Sequence, residues 1–210
     1  MAITLHRGDI PANQSFGDTV AVDTESMGLN WERDRLCLVQ LSSGDGNAHL
    51  VQFEAGKYDA PNLKKILTDP KVIKLFHFAR ADLATLRHYL GVMPKPVYCT
   101  KIASILARTF SDRHGLKDLT RDLISLDLSK EQQTSDWGSA TLTQDQMNYA
   151  ASDVLHLHKL KTRLDEMLAR EGRVELARQV MDFLPVRAEL DLAGWRDMDV
   201  FAHRPTRKAE

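Results

Sequence analysis

Four acidic residues and one tyrosine, each set in an apolar stretch, are the side chains of this 210-residue chain best suited to chemistry. They are Asp23 and Glu25 in VAVDTE, Asp82 in FHFARADLATL, and Tyr149 and Asp153 in YAASDVLHL. Carboxylates buried close together repel one another strongly unless a cation lies between them. The four carboxylates therefore predict a site that binds a pair of divalent metal ions.

The spacing within two of these segments indicates which side chains project together. Asp23 and Glu25 are separated by one residue in a segment typical of a strand, where alternate side chains share a face. Tyr149 and Asp153 are separated by three residues in a segment typical of a helix, where such neighbours also share a face. Each pair is therefore predicted to point in one direction.

Composition and charge restrict the class of protein. With 43% hydrophobic and 27% charged residues, the chain can form one globular domain with a sizeable core. Its 28 basic and 29 acidic residues give a net charge of -1, so it lacks the basic excess of proteins that hold long nucleic acids along a groove. This charge balance does not exclude a local site for nucleic acid.

Cysteines and apolar runs indicate the compartment. Cys37 and Cys99 lie in apolar stretches without metal-type spacing, and buried free thiols suit a reducing cytoplasm. The N-terminus lacks the apolar core of a signal peptide, and no apolar run approaches the roughly 20 residues that span a bilayer. A cytoplasmic protein without membrane contact is predicted.

Hydrophobic periodicity and turn residues predict an α/β domain. Strands are predicted at 20–24, 35–42, 48–53 and 72–78, and the first three form an antiparallel meander. Helices are predicted at 60–67, 81–90, 101–109, 116–125 and about 144–170. The last helix begins at a capping box, since Thr143 is followed three residues later by Gln146.

Two divalent ions held by carboxylates are typical of phosphoryl transfer. One ion activates a water molecule for attack, and the other stabilises the leaving oxygen. Mg²⁺ and Mn²⁺ suit a ligand set made only of oxygen atoms. Because an ordinary tyrosine is neutral near pH 7, Tyr149 is predicted to orient the attacking water by hydrogen bonding and not to remove its proton.

The three acidic segments resemble, in order and spacing, the motifs of the DEDDy branch of the DEDD 3′-to-5′ exonuclease superfamily. Its D-x-E motif matches Asp23-Thr-Glu25, its second aspartate matches Asp82, and its Y-x-x-x-D motif matches Tyr149 to Asp153. The resemblance implies an RNase H-like fold, in which a mixed sheet is flanked by helices. It also implies removal of nucleotides one at a time from a 3′ end, with Asp23, Glu25, Asp82 and Asp153 as metal ligands.

Flanking segments extend the resemblance over nearly the whole chain. Ribonuclease D is similar around the motifs but continues into helical nucleic-acid-binding domains, for which 57 residues after Asp153 leave no room. The nano-RNase C family, which is similar to ribonuclease D but shorter, also matches at 34–46, 99–104, 112–117 and 183–203. That resemblance implies a preference for short RNA, down to diribonucleotides such as pGpG, and assembly into a ring-like homo-octamer.

Other functions remain open at this point. Members of the nano-RNase C family also act on DNA, so a 3′-5′ DNA exonuclease that uses duplex or single-stranded DNA is one alternative. A non-catalytic nucleic-acid-binding module is another, although all five motif residues are present in the sequence.

Several basic residues near the motifs are candidate contacts for a short substrate. They are His77, Arg80, Arg113, His114 and Lys117. His77, between two phenylalanines, is more often a hydrogen-bonded core residue than a ligand, and we leave it outside the catalytic set. Arg113, His114 and Lys117 equally suit a solvated turn and the start of a helix.

The C-terminal residues are predicted to form a unit of their own. Residues 1–182 constitute the exonuclease domain in this interpretation, and 183–210 form an extension rich in apolar side chains, with helix breakers at Pro185 and Gly194. Such a segment either packs against its own domain or is covered by another subunit. The resemblance favours a subunit contact.

Overall fold

The computed structural model describes residues 2–28, 30–128 and 135–203, and this part of the chain forms one mixed six-stranded sheet flanked by helices. The strands are β1 (Ile3–Arg7), β2 (Thr19–Ser26), β3 (Leu36–Ser42), β4 (Ala48–Gln52), β5 (Ile73–Phe76) and β6 (Val97–Cys99). The helices are α1 (Pro61–Thr68), α2 (Ala79–Leu90), α3 (Thr100–Ala107), α4 (Leu116–Ile124), α5 (Gln144–Leu155), α6 (Leu157–Arg170) and α7 (Val174–Leu190). A short π-helical segment, Asp191–Trp195, follows α7.

The sheet has the strand order β1-β4-β3-β2-β5-β6. Strands β2, β3 and β4 pair in antiparallel fashion, so the predicted meander is confirmed. β1 is parallel to β4, β5 is parallel to β2, and β6 is parallel to β5. β2, which carries Asp23 and Glu25, therefore lies inside the sheet with a hydrogen-bonded strand on each side.

Apolar side chains cover both faces of the middle of the sheet. All seven residues of β3 are buried, as expected for a strand that is covered on both faces. The larger core contains Val20 and Val22 of β2 together with apolar residues of α2 and α6. A smaller cluster, which includes Leu38, Leu50 and Trp137, packs beneath α5. The predicted α/β class and mixed sheet are confirmed.

Two short strands and one helix break differ from the sequence prediction. β1 and β6 were not predicted, because strands of 5 and 3 residues carry little periodicity. The single helix expected at 144–170 is two helices, α5 and α6, which meet at His156. His156 has φ −107° and ψ −6°, outside the helical norm, and no glycine or proline marks this position.

The predicted break at Pro185 is wrong. Pro185 lies inside α7, and this helix runs across the expected domain boundary between residues 182 and 183. Leu184, Pro185 and Ala188 are buried in or against the larger core, so this stretch packs against its own domain. Residues 204–210 of the predicted extension lie outside the described part, and a subunit contact stays a prediction.

Two further observations concern cysteines and apolar helices. Cys37 and Cys99 are buried free thiols, as predicted, and burial raises the pKa of both. Within residues 2–28, 30–128 and 135–203, no helix combines the length and apolar content needed to cross a bilayer.

Candidate active site

Strand β2 and helix α5 bring the predicted pairs to one place. Asp23 and Glu25 share a face of β2, opposite Gln40 and Leu38 of β3. Helix α5 packs against β2, β3 and β4 and carries Tyr149 and Asp153. The strand and the helix together therefore position the first and last acidic motifs.

The start of α5 is held by the predicted capping box. The Thr143 hydroxyl accepts a hydrogen bond from the Gln146 backbone N–H at 3.2 Å, and the Gln146 side chain accepts one from the Thr143 N–H at 2.9 Å. Gln146 also donates from its side chain to the carbonyl of Asp136 at 3.1 Å. These bonds fix where the helix begins, and so which residues face the sheet.

Three of the four predicted carboxylates converge. One oxygen atom from each of Asp23, Glu25 and Asp153 lies within 4.8 Å of the others. Asp82 is buried in the first turn of α2, and its Oδ1 accepts a hydrogen bond of 2.7 Å from the Thr24 hydroxyl. Asp82 also accepts a hydrogen bond from the Thr24 backbone, and its charge raises the pKa of both Asp23 and Glu25, so it lies close to the other three carboxylates.

Burial and mutual repulsion make these carboxyl groups weak acids in the metal-free protein. Burial, followed by the charges of Asp82, Asp153 and Glu25, raises the pKa of Asp23 well above its usual value. Burial and the charges of Asp153 and Asp82 raise the pKa of Glu25 to about 9. Burial raises the pKa of Asp82 and of Asp153 to about 7, although hydrogen bonds from Thr24 and Tyr149 offset part of the effect.

The donor set suits a divalent cation. Among the described residues, no lysine, arginine or histidine forms an ion pair with Asp23, Glu25, Asp82 or Asp153. Four acidic side chains without a protein counterion favour a bound cation, since otherwise they must stay protonated. Carboxylate oxygens are the ligands that Mg²⁺ and Mn²⁺ prefer. The structure therefore supports the use of a divalent metal at this site.

Tyr149 lies at the edge of the cluster with its hydroxyl near Asp153. Burial first, and then the charges of Asp153, Glu25 and Asp23, raises the pKa of Tyr149 far above its ordinary value. Its ring packs against Trp137 with the centroids 6.1 Å apart. Tyr149 is therefore neutral and held in place, which suits a hydrogen-bonding role.

Two of the predicted substrate contacts are engaged within the protein. Arg80 donates hydrogen bonds to both carboxylate oxygens of Asp191, at 2.6 Å and 2.7 Å, and to the carbonyl of Arg196. The Nδ1 atom of His77 lies 2.9 Å from the Thr100 hydroxyl, and burial lowers the pKa of His77 to about 4. His77 is thus a hydrogen-bonded residue directly after β5, and its role in substrate binding stays a prediction.

The other three predicted contacts lie around the start of α4. Arg113 is exposed, and Lys117 is half-buried. His114 has its Nδ1 atom 2.8 Å from the hydroxyl of Ser104 on α3. None of the described metal-ligand candidates hydrogen-bonds to these residues, so a role in substrate binding stays a prediction.

Thr24 is a site residue that the sequence reasoning missed. It stands between Asp23 and Glu25, and strand alternation alone says that it points away from them. Its hydrogen bond to Asp82 could not be predicted locally, because Asp82 lies 58 residues further along the chain.

The geometry agrees with comparisons to known proteins. Residues 11–169 match a family model described as 3′-5′ exonuclease. The chain belongs to the 3′-5′ exonuclease family. The structure of NrnC of Brucella melitensis with bound Mg²⁺ is similar to this one, with 52% sequence identity and a TM-score of 0.93. The match covers 97% of this chain and 100% of that chain. NrnC from the same organism bound to pGG is 53% identical with a TM-score of 0.94, over 97% of this chain and 100% of that chain.

A ribonuclease D from Gluconacetobacter diazotrophicus is a further relative in the exonuclease family. It is 36% identical over 156 residues, which is 74% of this chain and 39% of the relative. The chain thus spans about two fifths of the length of the curated ribonuclease D relatives that it matches. The resemblance to nano-RNase C and ribonuclease D predicted from the motifs is confirmed.

Proposed function

We propose that the chain is a metal-dependent 3′-5′ exoribonuclease that degrades short oligoribonucleotides, especially diribonucleotides such as pGpG, to 5′-mononucleotides. The observation that carries this proposal is the convergence of Asp23, Glu25 and Asp153, whose oxygen atoms lie within 4.8 Å of one another. Membership of the exonuclease family supports the reaction class.

In the proposed mechanism, Asp23, Glu25, Asp82 and Asp153 hold two Mg²⁺ or Mn²⁺ ions. When bound, the ions supply a water of lowered pKa and stabilise the leaving oxygen of the terminal phosphodiester. Tyr149 hydrogen-bonds the attacking water and orients it, because its raised pKa keeps the hydroxyl protonated. Asp153, next to that hydroxyl, keeps Tyr149 in place.

Three observations support a short substrate. NrnC of Brucella melitensis, similar over its whole length, has a structure bound to pGG. The net charge of -1 offers few contacts for a long phosphate backbone. A groove of about 590 Å³ lies beside α2, and its lining includes Arg80 and the half-exposed ring of Phe78, on which a base can stack.

The test is a time course with 5′-labelled RNAs from dinucleotides to long oligonucleotides, in Mg²⁺ and in Mn²⁺, beside single-stranded and duplex DNA. We expect dinucleotides to be hydrolysed fastest, with mononucleotides as products. Survival of dinucleotides while long RNA disappears would refute the short-substrate proposal, and faster loss of DNA would favour the DNA exonuclease. Hydrolysis that persists in Asp153→Ala would refute the metal mechanism, and an inert wild-type protein would favour a binding module.

We also propose that the chain works as a homo-oligomer, with the octamer as the expected state. Apolar side chains remain exposed on and after α7, including Val186, Trp195 and Phe201 at 47%, 43% and 77% exposure. A second copy of the chain would remove this surface from water. Light scattering tests the proposal, and a monomer at micromolar concentration would refute it.

A further inference from the structure

Gln40 is a buried polar residue that neither the fold nor the proposed mechanism has used so far. It lies in the middle of β3, a strand whose other residues are mostly apolar, and its exposure is 0%. Neither its side-chain nitrogen nor its side-chain oxygen has a hydrogen-bond partner in the part of the chain that the structure describes. A buried amide without partners is costly and rare in native proteins, so this position calls for a physical reason.

The position of Gln40 supplies that reason. Gln40 pairs directly with Asp23 across the antiparallel β2 and β3, and cross-strand partners point to the same face of a sheet. In such a pair the Cβ atoms are about 4.5–5.5 Å apart, a distance that a glutamine side chain can span. Helix α5, which carries Tyr149 and Asp153, covers this face.

The side-chain hydrogen bonds of Asp82 and Asp153 show what Asp23 lacks. Asp82 accepts a bond from the Thr24 hydroxyl at 2.7 Å, and Asp153 interacts with the Tyr149 hydroxyl. Asp23 has only the backbone of Thr24 among the described residues. Carboxylates that bind metal are themselves usually hydrogen-bonded by neighbouring groups, which fix their orientation and tune the metal.

We propose that Gln40 is a positioning residue for Asp23, and that its side-chain N–H donates a hydrogen bond to the Asp23 carboxylate when that carboxylate binds a metal ion. One oxygen of Asp23 then faces the ion while the other accepts from Gln40. The amide keeps Asp23 in one rotamer without contributing a further charge. This inference rests on the proposed function, because it gives Asp23 the role of a metal ligand.

Gln40→Met tests the inference, since methionine has a similar shape and no hydrogen-bonding group. Mn²⁺ affinity is measured by calorimetry on the full chain, and the melting temperature is measured with the metal removed by a chelator. We expect Mn²⁺ affinity to fall by about 10- to 100-fold, as for other residues that orient metal ligands. The melting temperature of the metal-free protein should stay unchanged or rise, since a buried amide without partners has been removed.

Gln52→Met is the matched control. Gln52 is on β4 and shares the sheet face of Gln40 through its pairing with Leu38, but its amide is fully engaged. It bonds to the Arg7 guanidinium and donates to the carbonyl of Ser139 at 2.8 Å. We expect Gln52→Met to lower the melting temperature and to leave Mn²⁺ affinity unchanged, the reverse of Gln40→Met.

The outcomes separate this inference from the proposed function. Wild-type affinity for Mn²⁺ in Gln40→Met would overturn the inference while the proposed function stands. A wild-type protein that neither binds Mn²⁺ nor hydrolyses RNA would overturn the proposed function itself. If Gln40→Met folds poorly, nitrogen NMR of the wild-type side chains decides: Mg²⁺ should shift the amide signal of Gln40 and not that of Gln52, and an unmoved Gln40 signal overturns the inference.

Discussion

Two of the buried carboxylates in the described part of the chain, Asp191 and Asp82, have very different charges around them. Asp191, at the end of α7, is 5% exposed and accepts hydrogen bonds from the guanidinium groups of Arg80 and Arg187. Asp82 is equally buried at 5% exposure, yet its hydrogen bonds come from the Thr24 hydroxyl and from backbone N–H groups and not from a cation. A carboxylate with two arginines needs no further partner, whereas the acidic cluster does.

This difference separates a structural ion pair from a metal site. The Arg80, Asp191 and Arg187 cluster joins α2 to the end of α7, and two guanidinium groups balance the charge of its carboxylate. Burial raises the pKa of each member of the acidic cluster of Asp23, Glu25, Asp82 and Asp153, so without a cation these carboxyl groups stay partly protonated. Four experiments test whether the acidic cluster serves metal binding and catalysis while the arginine cluster serves stability.

The largest effect is expected from Asp153→Asn, which removes one charge from the acidic cluster. Hydrolysis should fall by about 1000-fold, because the metal site supplies several kcal/mol of transition-state stabilisation and each 1.4 kcal/mol is about tenfold in rate. Single-turnover hydrolysis of a labelled dinucleotide measures this change. The metal-free protein should melt at the same or a higher temperature, and a large loss of stability would show that Asp153 is structural.

Asp191→Asn should have the opposite profile. Removing this charge leaves Arg80 and Arg187 unpaired, and we expect the free energy of unfolding to fall by about 2–4 kcal/mol. Denaturant unfolding measures the change, and Mn²⁺ affinity should not alter. Asp182→Asn is the control, since Asp182 pairs with Arg178 on the exposed side of α7 and such pairs contribute about 0–1 kcal/mol. If Asp191→Asn and Asp182→Asn lowered the free energy of unfolding equally, the Asp191 cluster would not be a structural ion pair.

Tyr149→Phe should affect catalysis without affecting metal binding. The ring and its packing against Trp137 are kept, but the hydroxyl that we propose to orient the attacking water is lost. We expect hydrolysis to fall by about 100-fold, the scale of a misplaced reacting group, with unchanged Mn²⁺ affinity. Calorimetry and single-turnover rates on the same preparation check both parts. Weaker Mn²⁺ binding would mean that Tyr149 acts on the metal site and not on the water.

The fourth experiment measures how the stability of the metal-free protein depends on pH. Unfolded carboxyl groups have pKa values of about 4, whereas Glu25 and Asp153 have values of about 9 and about 7 in the folded protein. The folded state therefore binds more protons, so the metal-free protein loses stability as pH rises from about 4 to about 9.

Mg²⁺ should reverse this loss, because it binds the deprotonated carboxylates. Its stabilisation should grow with pH by about 1.4 kcal/mol for each tenfold gain in affinity. Melting curves at about pH 6 and about pH 8.5, with Mg²⁺ or with a chelator, measure it. Asp191→Asn should show the same Mg²⁺ increment as wild type, and Asp153→Asn a smaller one.

Local signals in the sequence were sufficient for the acidic cluster and for much of the fold. The spacing of Asp23 and Glu25 on a strand, and of Tyr149 and Asp153 on a helix, correctly predicted that each pair shares a face. The meander followed from β-forming segments separated by glycine turns. In each case the interactions that decide the structure lie within a few residues of one another.

Long-range contacts explain what the sequence did not reveal. The pairing of Arg80 with Asp191, 111 residues away, was not predicted, and a substrate contact of Arg80 stays a prediction. Pro185 should end a helix by its local preference, yet the burial of Leu184 and Ala188 holds α7 together around it. The break at His156 carries no glycine or proline, and β1 is a strand only because β4 lies beside it.

The capping box at Thr143 fixes the residue at which α5 begins, and this start sets the direction in which Tyr149 and Asp153 point. Each residue in an α-helix turns the chain by about 100°, so the angle at which Asp153 faces β2 depends on the count of residues from the first turn. An insertion or deletion of one residue between Thr143 and Tyr149 would swing both side chains off the acidic cluster while leaving a well-formed helix. The length of this segment is therefore as much a determinant of activity as the residues in it, and substitutions there should be tolerated far better than changes in length.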